Sequence, residues 1–195
     1  MICFQLTAIG MRSAFRFAVP KLVRFAMCLV FCLAPVWGAT LELLSLNNLI
    51  GKSTTIVQAQ VTGSSASYTG TVIYTHYKVN VVAQWKGATQ ASIEVLAPGG
   101  TANGIRQTYP GAPQLTTGRQ YLLFLWKSSK GATYTLGLTQ GVFNLVQDTT
   151  GSVTAVQAPT TETILEPGTG RVVKDQPISL PLSQLILAIT AGGIT

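Results

Sequence analysis

The chain predicts a mainly β fold, a small barrel or sandwich with one helix before it and one after. Three observations carry this expectation. From residue 55 onward apolar residues recur at every second position in short runs. Gly-containing turns separate those runs at regular intervals. Helical spacing occurs only near the two ends of the presumptive domain, at 41–53 and 181–193.

The N-terminal segment obeys a different logic. Arg12, Arg16, Lys21 and Arg24 stand without an opposing acid, and FAMCLVFCLAPVW (25–37) follows with no charge at all. A basic region, a short apolar core and the small-residue step at Gly38 predict a secretory signal peptide over residues 1–38. The expectation is the same for translation from Met1 or from Met11. Its apolar run falls short of the ~20 residues that span a bilayer as a helix, so no transmembrane span is expected in the mature chain. The protein is expected to be exported, to the periplasm or outside the cell. The whole chain carries 13 basic residues against six acids, a net of +7. Without residues 1–38, nine bases face six acids, a net of +3. Cys3, Cys28 and Cys32 all fall in the removed segment, so the mature chain has no cysteine and must be stable without disulfides.

Within the mature chain the expected organisation is a β domain over 39–158, with a hairpin and helix over 159–195 packed on it. LELLSLNNLIGKS (41–53) places Leu43, Leu46, Leu49 and Ile50 at helical spacing, with Ser45 as N-cap and Gly51 as the stop. In TTIVQAQVTG, Val57, Ala59 and Val61 share one face and Gln58 and Gln60 the other. SSASYTG (64–70) reads as a loop. In YTHYKVNVVAQW (74–85), Tyr77, Val79, Val81, Ala83 and Trp85 point one way and His76 and Lys78 the other. ASIEVLA (91–97) alternates again, while YLLFLW (121–126) is apolar throughout and reads as a central strand. ATYTLGL, VFNLVQD and VTAVQA supply further strands. ETILEPGTGRVVKD folds as a hairpin about Pro167–Gly170, and PLSQLILAITAGG as a helix whose stripe is Leu182, Leu185, Ile186 and Ile189.

The stretch APGGTANGIRQTYPGAPQLTTG (97–118) is long for a connection in a compact domain. Asn103-Gly104 has the composition of a tight turn with positive φ. Arg106, Gln107 and Tyr109 provide a cation, an amide and an aromatic suited to recognition, and are the expected binding residues.

Other chemistries find little support. Gly51-Lys52-Ser53 ends like a phosphate loop, but Leu46 stands where its first glycine belongs, and the order runs from helix to strand. His76 is the only histidine and the mature chain has no cysteine, so no metal site and no cofactor is expected. A serine hydrolase would have to use His76 with Asp148 or Asp175, and no G-x-S-x-G is present; a solvated surface histidine is the expected state. A glycosidase would draw two of Glu42, Glu94, Glu162, Glu166, Asp148 and Asp175, and no spacing singles out a pair. Tyr74, Lys78 and Arg106 could line a nucleic-acid surface, but export and a net of +3 speak against it. Trp85, Tyr121, Phe124, Trp126 and Phe143 are expected in the core.

The segments LELLSLNNLIGKS, TTIVQAQVTG, YKVNVVAQWKG, IEVLAPGG, GAPQLTTGRQYLLFLW and TQGVFNLV together resemble a group of exported bacterial proteins of unknown function. The resemblance covers most of 41–148, and WKG followed by I-x-V and PGG is its most specific part. More distantly, the chain is similar to netrin-like modules, the OB-type barrel of the tissue metalloproteinase inhibitors. That resemblance implies an OB-like barrel. It does not carry over inhibition, which uses a disulfide-bonded N-terminal cysteine, because the mature chain would begin at Ala39 or Thr40. The functional expectation is an exported, non-catalytic binding module for a protein or an extracellular polymer. The alternatives are a hydrolase of such a polymer and an envelope-associated structural protein.

Overall fold

A computed structural model describes residues 40–160 and 162–192. The expected signal peptide and all three cysteines lie outside the described residues. In chain order the elements are β1 (Thr40–Glu42), α1 (Leu46–Lys52), β2 (Thr55–Thr69), β3 (Val72–Lys86), β4 (Ser92–Pro98), β5 (Gly100–Ala102) and β6 (Ile105–Gln107). They continue with β7 (Gln120–Lys127), β8 (Thr133–Thr135), a 3-10 turn (Leu138–Gly141), β9 (Val142–Gln147) and β10 (Val153–Gln157). The last are β11 (Thr163–Leu165), β12 (Val172–Val173), β13 (Ser179–Pro181) and α2 (Leu182–Thr190).

Five strands close on themselves in the order β2-β3-β4-β8-β7 and back to β2. β4 and β8 run parallel and the other neighbours antiparallel. This is the mainly β fold expected from the sequence, with part of its main sheet closed into a small ring. The edge of β7 is shared. Its C-terminal residues pair with β8 and its N-terminal residues with β9, so β9, β10 and β13 extend the sheet beyond the ring. The switch from β8 to β9 runs through Gly141, where any Cβ would collide with the carbonyls of Leu136 and Phe124. β1, β11 and β12 form a separate small sheet, in which β11 and β12 make the hairpin expected around Pro167–Gly170.

Two apolar clusters follow from this topology. The inner one fills the ring and includes Val57, Ala59, Val61, Val79, Val95, Leu123 and Leu125. The outer one lies between one wall of the ring and the two helices, and joins Leu49, Ile56, Leu122, Phe124, Phe143, Leu185 and Ile189. β7 is apolar on both faces because it separates the two clusters.

The local signals worked where they were local. Ser45 caps α1, its Oγ accepting the Asn48 N–H at 3.2 Å. Gly51, expected as the stop, lies inside the helix instead. The end is made by Ser53, whose N–H and Oγ both donate to the Leu49 carbonyl, and by the Lys86 ammonium, which donates to the Ile50 and Gly51 carbonyls at 2.7 and 3.1 Å.

Three expectations are corrected. Residues 64–69 are strand, not loop, and the β2–β3 hairpin turns only at Gly70-Thr71, with Gly70 at φ 64°. This arm reaches past the barrel, so it lacks a deep core face and loses the hydrophobic alternation that marks a strand. Second, the register of β2 against β3 skips Val82 and Trp85, and these bulges break the two-residue period. Trp85 thereby joins the outer cluster rather than the face of Val79. Third, ATYTLGL is strand only at 133–135; Gly137 and Leu138 adopt positive φ and start the 3-10 turn.

Candidate functional site

The long loop between β4 and β7 folds back over one end of the ring and encloses a cleft of about 300 Å3. Its floor is Thr75, Tyr77 and Ala97, and its walls come from 98–101 and 106–116. The loop is not slack. β5 and β6 form a hairpin around Asn103 (φ 51°) and Gly104 (φ 77°), the doubly positive turn expected for this dipeptide. Further along, the Tyr121 hydroxyl accepts the Thr116 N–H at 3.0 Å. The pKa of Tyr77 is pushed above 10.0 chiefly by burial, against the lowering effect of the Leu115 backbone beside it.

The three expected binding residues all line this cleft, in different roles. The Gln107 amide is committed to the fold. Its Oε1 accepts the Ile73 N–H at 2.6 Å and its Nε2 donates to the Thr71 carbonyl at 3.0 Å, tying the β5–β6 hairpin to the start of β3. Arg106 is exposed, and its guanidinium has no ion-pair partner among the described residues. Tyr109 is 39% exposed. Arg106 and Tyr109 are therefore the free chemistry of the rim.

A second group lies on the outside of the ring. His76 was expected to be a solvated histidine; instead it is half-buried and held from both sides. Its Nε2 is 2.9 Å from Ser67 Oγ on β2, and its Nδ1 is 3.4 Å from Glu94 Oε1 on β4. Asp148 and Asp175, the acids considered for it, are used elsewhere. Asp148 Oδ1 accepts from Thr150 and Ser152 within its own turn, and Asp175 Oδ2 accepts the Thr160 N–H. Trp126 also departs from expectation. It is 38% exposed and stacks on Tyr134, with centroids 5.3 Å apart. Sequence reasoning missed Ser67 and named Glu94 only as one of six acids, because only strand register brings them to His76, and Ser67 sits in the arm that read as a loop.

Among the described residues no group of three or more His, Cys, Asp or Glu side chains could hold a metal ion. No helix of the described residues is long and apolar enough to cross a membrane. The chain matches no protein-family model, no curated protein and no solved structure.

Proposed function

We propose that the chain is an exported, non-catalytic binding module that takes a protein or extracellular-polymer partner at the loop cleft. The observation that carries this reading is the fixed backbone of the cleft. The Tyr121 hydroxyl holds Thr116 from below and the Gln107 amide holds the hairpin from the side. A loop ordered before its ligand arrives loses little entropy on binding. Arg106 and Tyr109 remain at the rim, a fork of donors beside an aromatic face, suited to a carboxylate-bearing partner. The test replaces both by alanine and compares crosslinked capture from the native secretome with that of the unaltered chain. The expected result is an unchanged unfolding curve and loss of the captured species. Equal capture removes the cleft from the binding reading. Gln107→Ala is a control of another kind, because it should loosen the hairpin itself.

One observation favours a second reading, a hydrolase of an extracellular polymer. Ser67, His76 and Glu94 stand in the order nucleophile, base and orienting acid. Ser67 Oγ would pass its proton to His76 Nε2 as it attacks an ester carbonyl. The alcohol would leave with that proton, and water would release the acid by the same route. Labelling by a fluorophosphonate, abolished in Ser67→Ala, supports this reading; absence of labelling ends it.

A further inference from the structure

The outer wall of the ring carries a lateral band of side chains in which Trp126 is exposed and His76, Tyr74, Leu96 and Tyr134 are half-buried. Register sets it out. Ser65 pairs with His76, His76 with Leu96, Leu96 with Tyr134, and Tyr134 with Trp126. Residues opposite one another in a ladder share a face, so this single row crosses β2, β3, β4, β8 and β7 on the outside. The adjoining row pairs Ser67 with Tyr74 and Tyr74 with Pro98. The aromatic rings of the two rows meet: Tyr74 lies edge-on to Tyr134 at 6.2 Å, and Tyr134 stacks on Trp126. From β3 to β7 the band crosses three strand spacings, about 14 Å.

We propose that this wall is a binding platform for an oligosaccharide, with sugar rings laid across Tyr74, Leu96, Tyr134 and Trp126. A pyranose has an apolar face of C–H groups and a rim of hydroxyls, and the wall presents the complement of both. Its centre is aromatic and aliphatic. Its β2–β4 end is polar, where Ser67, His76 and Glu94 form a connected line of donors and acceptors. Those contacts set the histidine ring before a ligand arrives, so hydroxyls meet oriented partners. The charge pattern selects against nucleic acid. Lys78 stands directly opposite Glu94 in the ladder, and Lys127 lies on the other face of its strand from Trp126. Among the described residues no unopposed line of cations follows the aromatics as a phosphate backbone requires. Strand addition by a peptide is also disfavoured, because β8 is paired on both sides, with β4 and with β7. The platform is separate from the cleft and stands whether or not the cleft reading holds.

The test is affinity electrophoresis of chain 39–195 in gels containing a neutral β-glucan or soluble chitosan. Titration with cello- and chito-oligosaccharides, read by tryptophan fluorescence, accompanies it. The expected result is retardation by at least one polysaccharide and a fluorescence change on titration with its oligomers. Trp126→Ala should weaken both at least tenfold, Trp126→Phe should retain part of the affinity, and Leu187→Ala, an exposed change on α2, should change neither. Trp126 is exposed, so Trp126→Ala should keep its fold, and its unfolding midpoint checks this. Retardation that survives in Trp126→Ala overturns the proposal, and so does a chain that ignores every saccharide. Binding of single-stranded DNA in preference to sugars overturns it as well.

Discussion

Phe124 and Trp126 lie two residues apart on the same face of β7, yet Phe124 is fully buried and Trp126 is 38% exposed. Phe124 belongs to the wall of the ring that α1, α2 and the β9–β10 extension cover. Trp126 belongs to the wall that continues over β8, β4 and β3, where the outward residues Tyr74, His76, Leu96 and Tyr134 are only half-buried. The strands of the two walls are built alike, with an inner apolar row in both. The difference lies in the outward row. On the covered side it is Ile56, Leu122 and Phe124; on the bare side it is Lys78, His76, Tyr74, Leu96 and Tyr134. A barrel this small fills its interior with side chains from every strand, so the inner row carries no information about function. What distinguishes the walls is where the segments before and after the ring strands pack. The helices that flank the ring in sequence stack on one side and leave the other to solvent-facing side chains such as Trp126.

The sharpest way to break this comparison is to truncate both aromatics. Phe124→Ala should cost about 3–5 kcal/mol, because it removes a ring packed 5.4 Å from Phe143 and leaves a cavity between two layers. Trp126→Ala should cost about 1 kcal/mol or less, as a partly exposed side chain that has lost one stacking partner. Urea unfolding of the two variants checks this, and equal losses would mean that the bare wall is covered in solution.

Next in size is Gln140, a buried amide behind the covered wall. Its Oε1 accepts the Leu44 N–H at 2.8 Å and its Nε2 donates to the Glu42 carbonyl at 3.0 Å, so it anchors the chain between β1 and α1. Gln140→Ala should cost about 1–3 kcal/mol by leaving a backbone donor unsatisfied. Amide exchange at Leu44 should rise with it, while exchange on the bare wall stays unchanged.

Two smaller effects depend on pH. Tyr77 is raised above its ordinary value of 10.0 by burial. The folded state then holds the phenol proton more tightly than the unfolded chain. That contribution is intact below pH 10 and is lost as pH rises through the folded value. Tyr77→Phe should flatten the alkaline limb of the unfolding curve and loosen the 115–116 backbone. Asp148 is shifted the other way, held below 3.8 first by the Thr150 hydroxyl and then by backbone N–H groups of its turn. Its contribution is present above the unfolded value and is lost as pH falls through the folded one. Asp148→Asn should remove a small part of the acid limb, seen best as faster exchange at Ser152.

The sequence by itself determined the features that depend on a few neighbouring residues. The Ser45 cap, the alternation of Val57, Ala59 and Val61, the Asn103-Gly104 turn, the hairpin at 167–170 and the Leu182, Leu185 and Ile189 part of the α2 stripe are all set by φ preference, side-chain spacing or a short-range hydrogen bond, while Ala188 rather than Ile186 completes that stripe. It also singled out the loop whose cleft holds Arg106 and Tyr109. Only the tertiary structure decided what depends on pairing at a distance. Gln107 could not be recognised as a clamp until Ile73 and Thr71 lay beside it. Two bulges moved Trp85 to the outer cluster, and a strand rule of period two has no means to foresee a skipped residue. Ser67, His76 and Glu94 come from three strands and meet only through register. The exposure of Trp126 was hidden for the same reason. Burial is a property of what packs above a side chain, and an apolar run reads alike whether a helix or solvent lies over it.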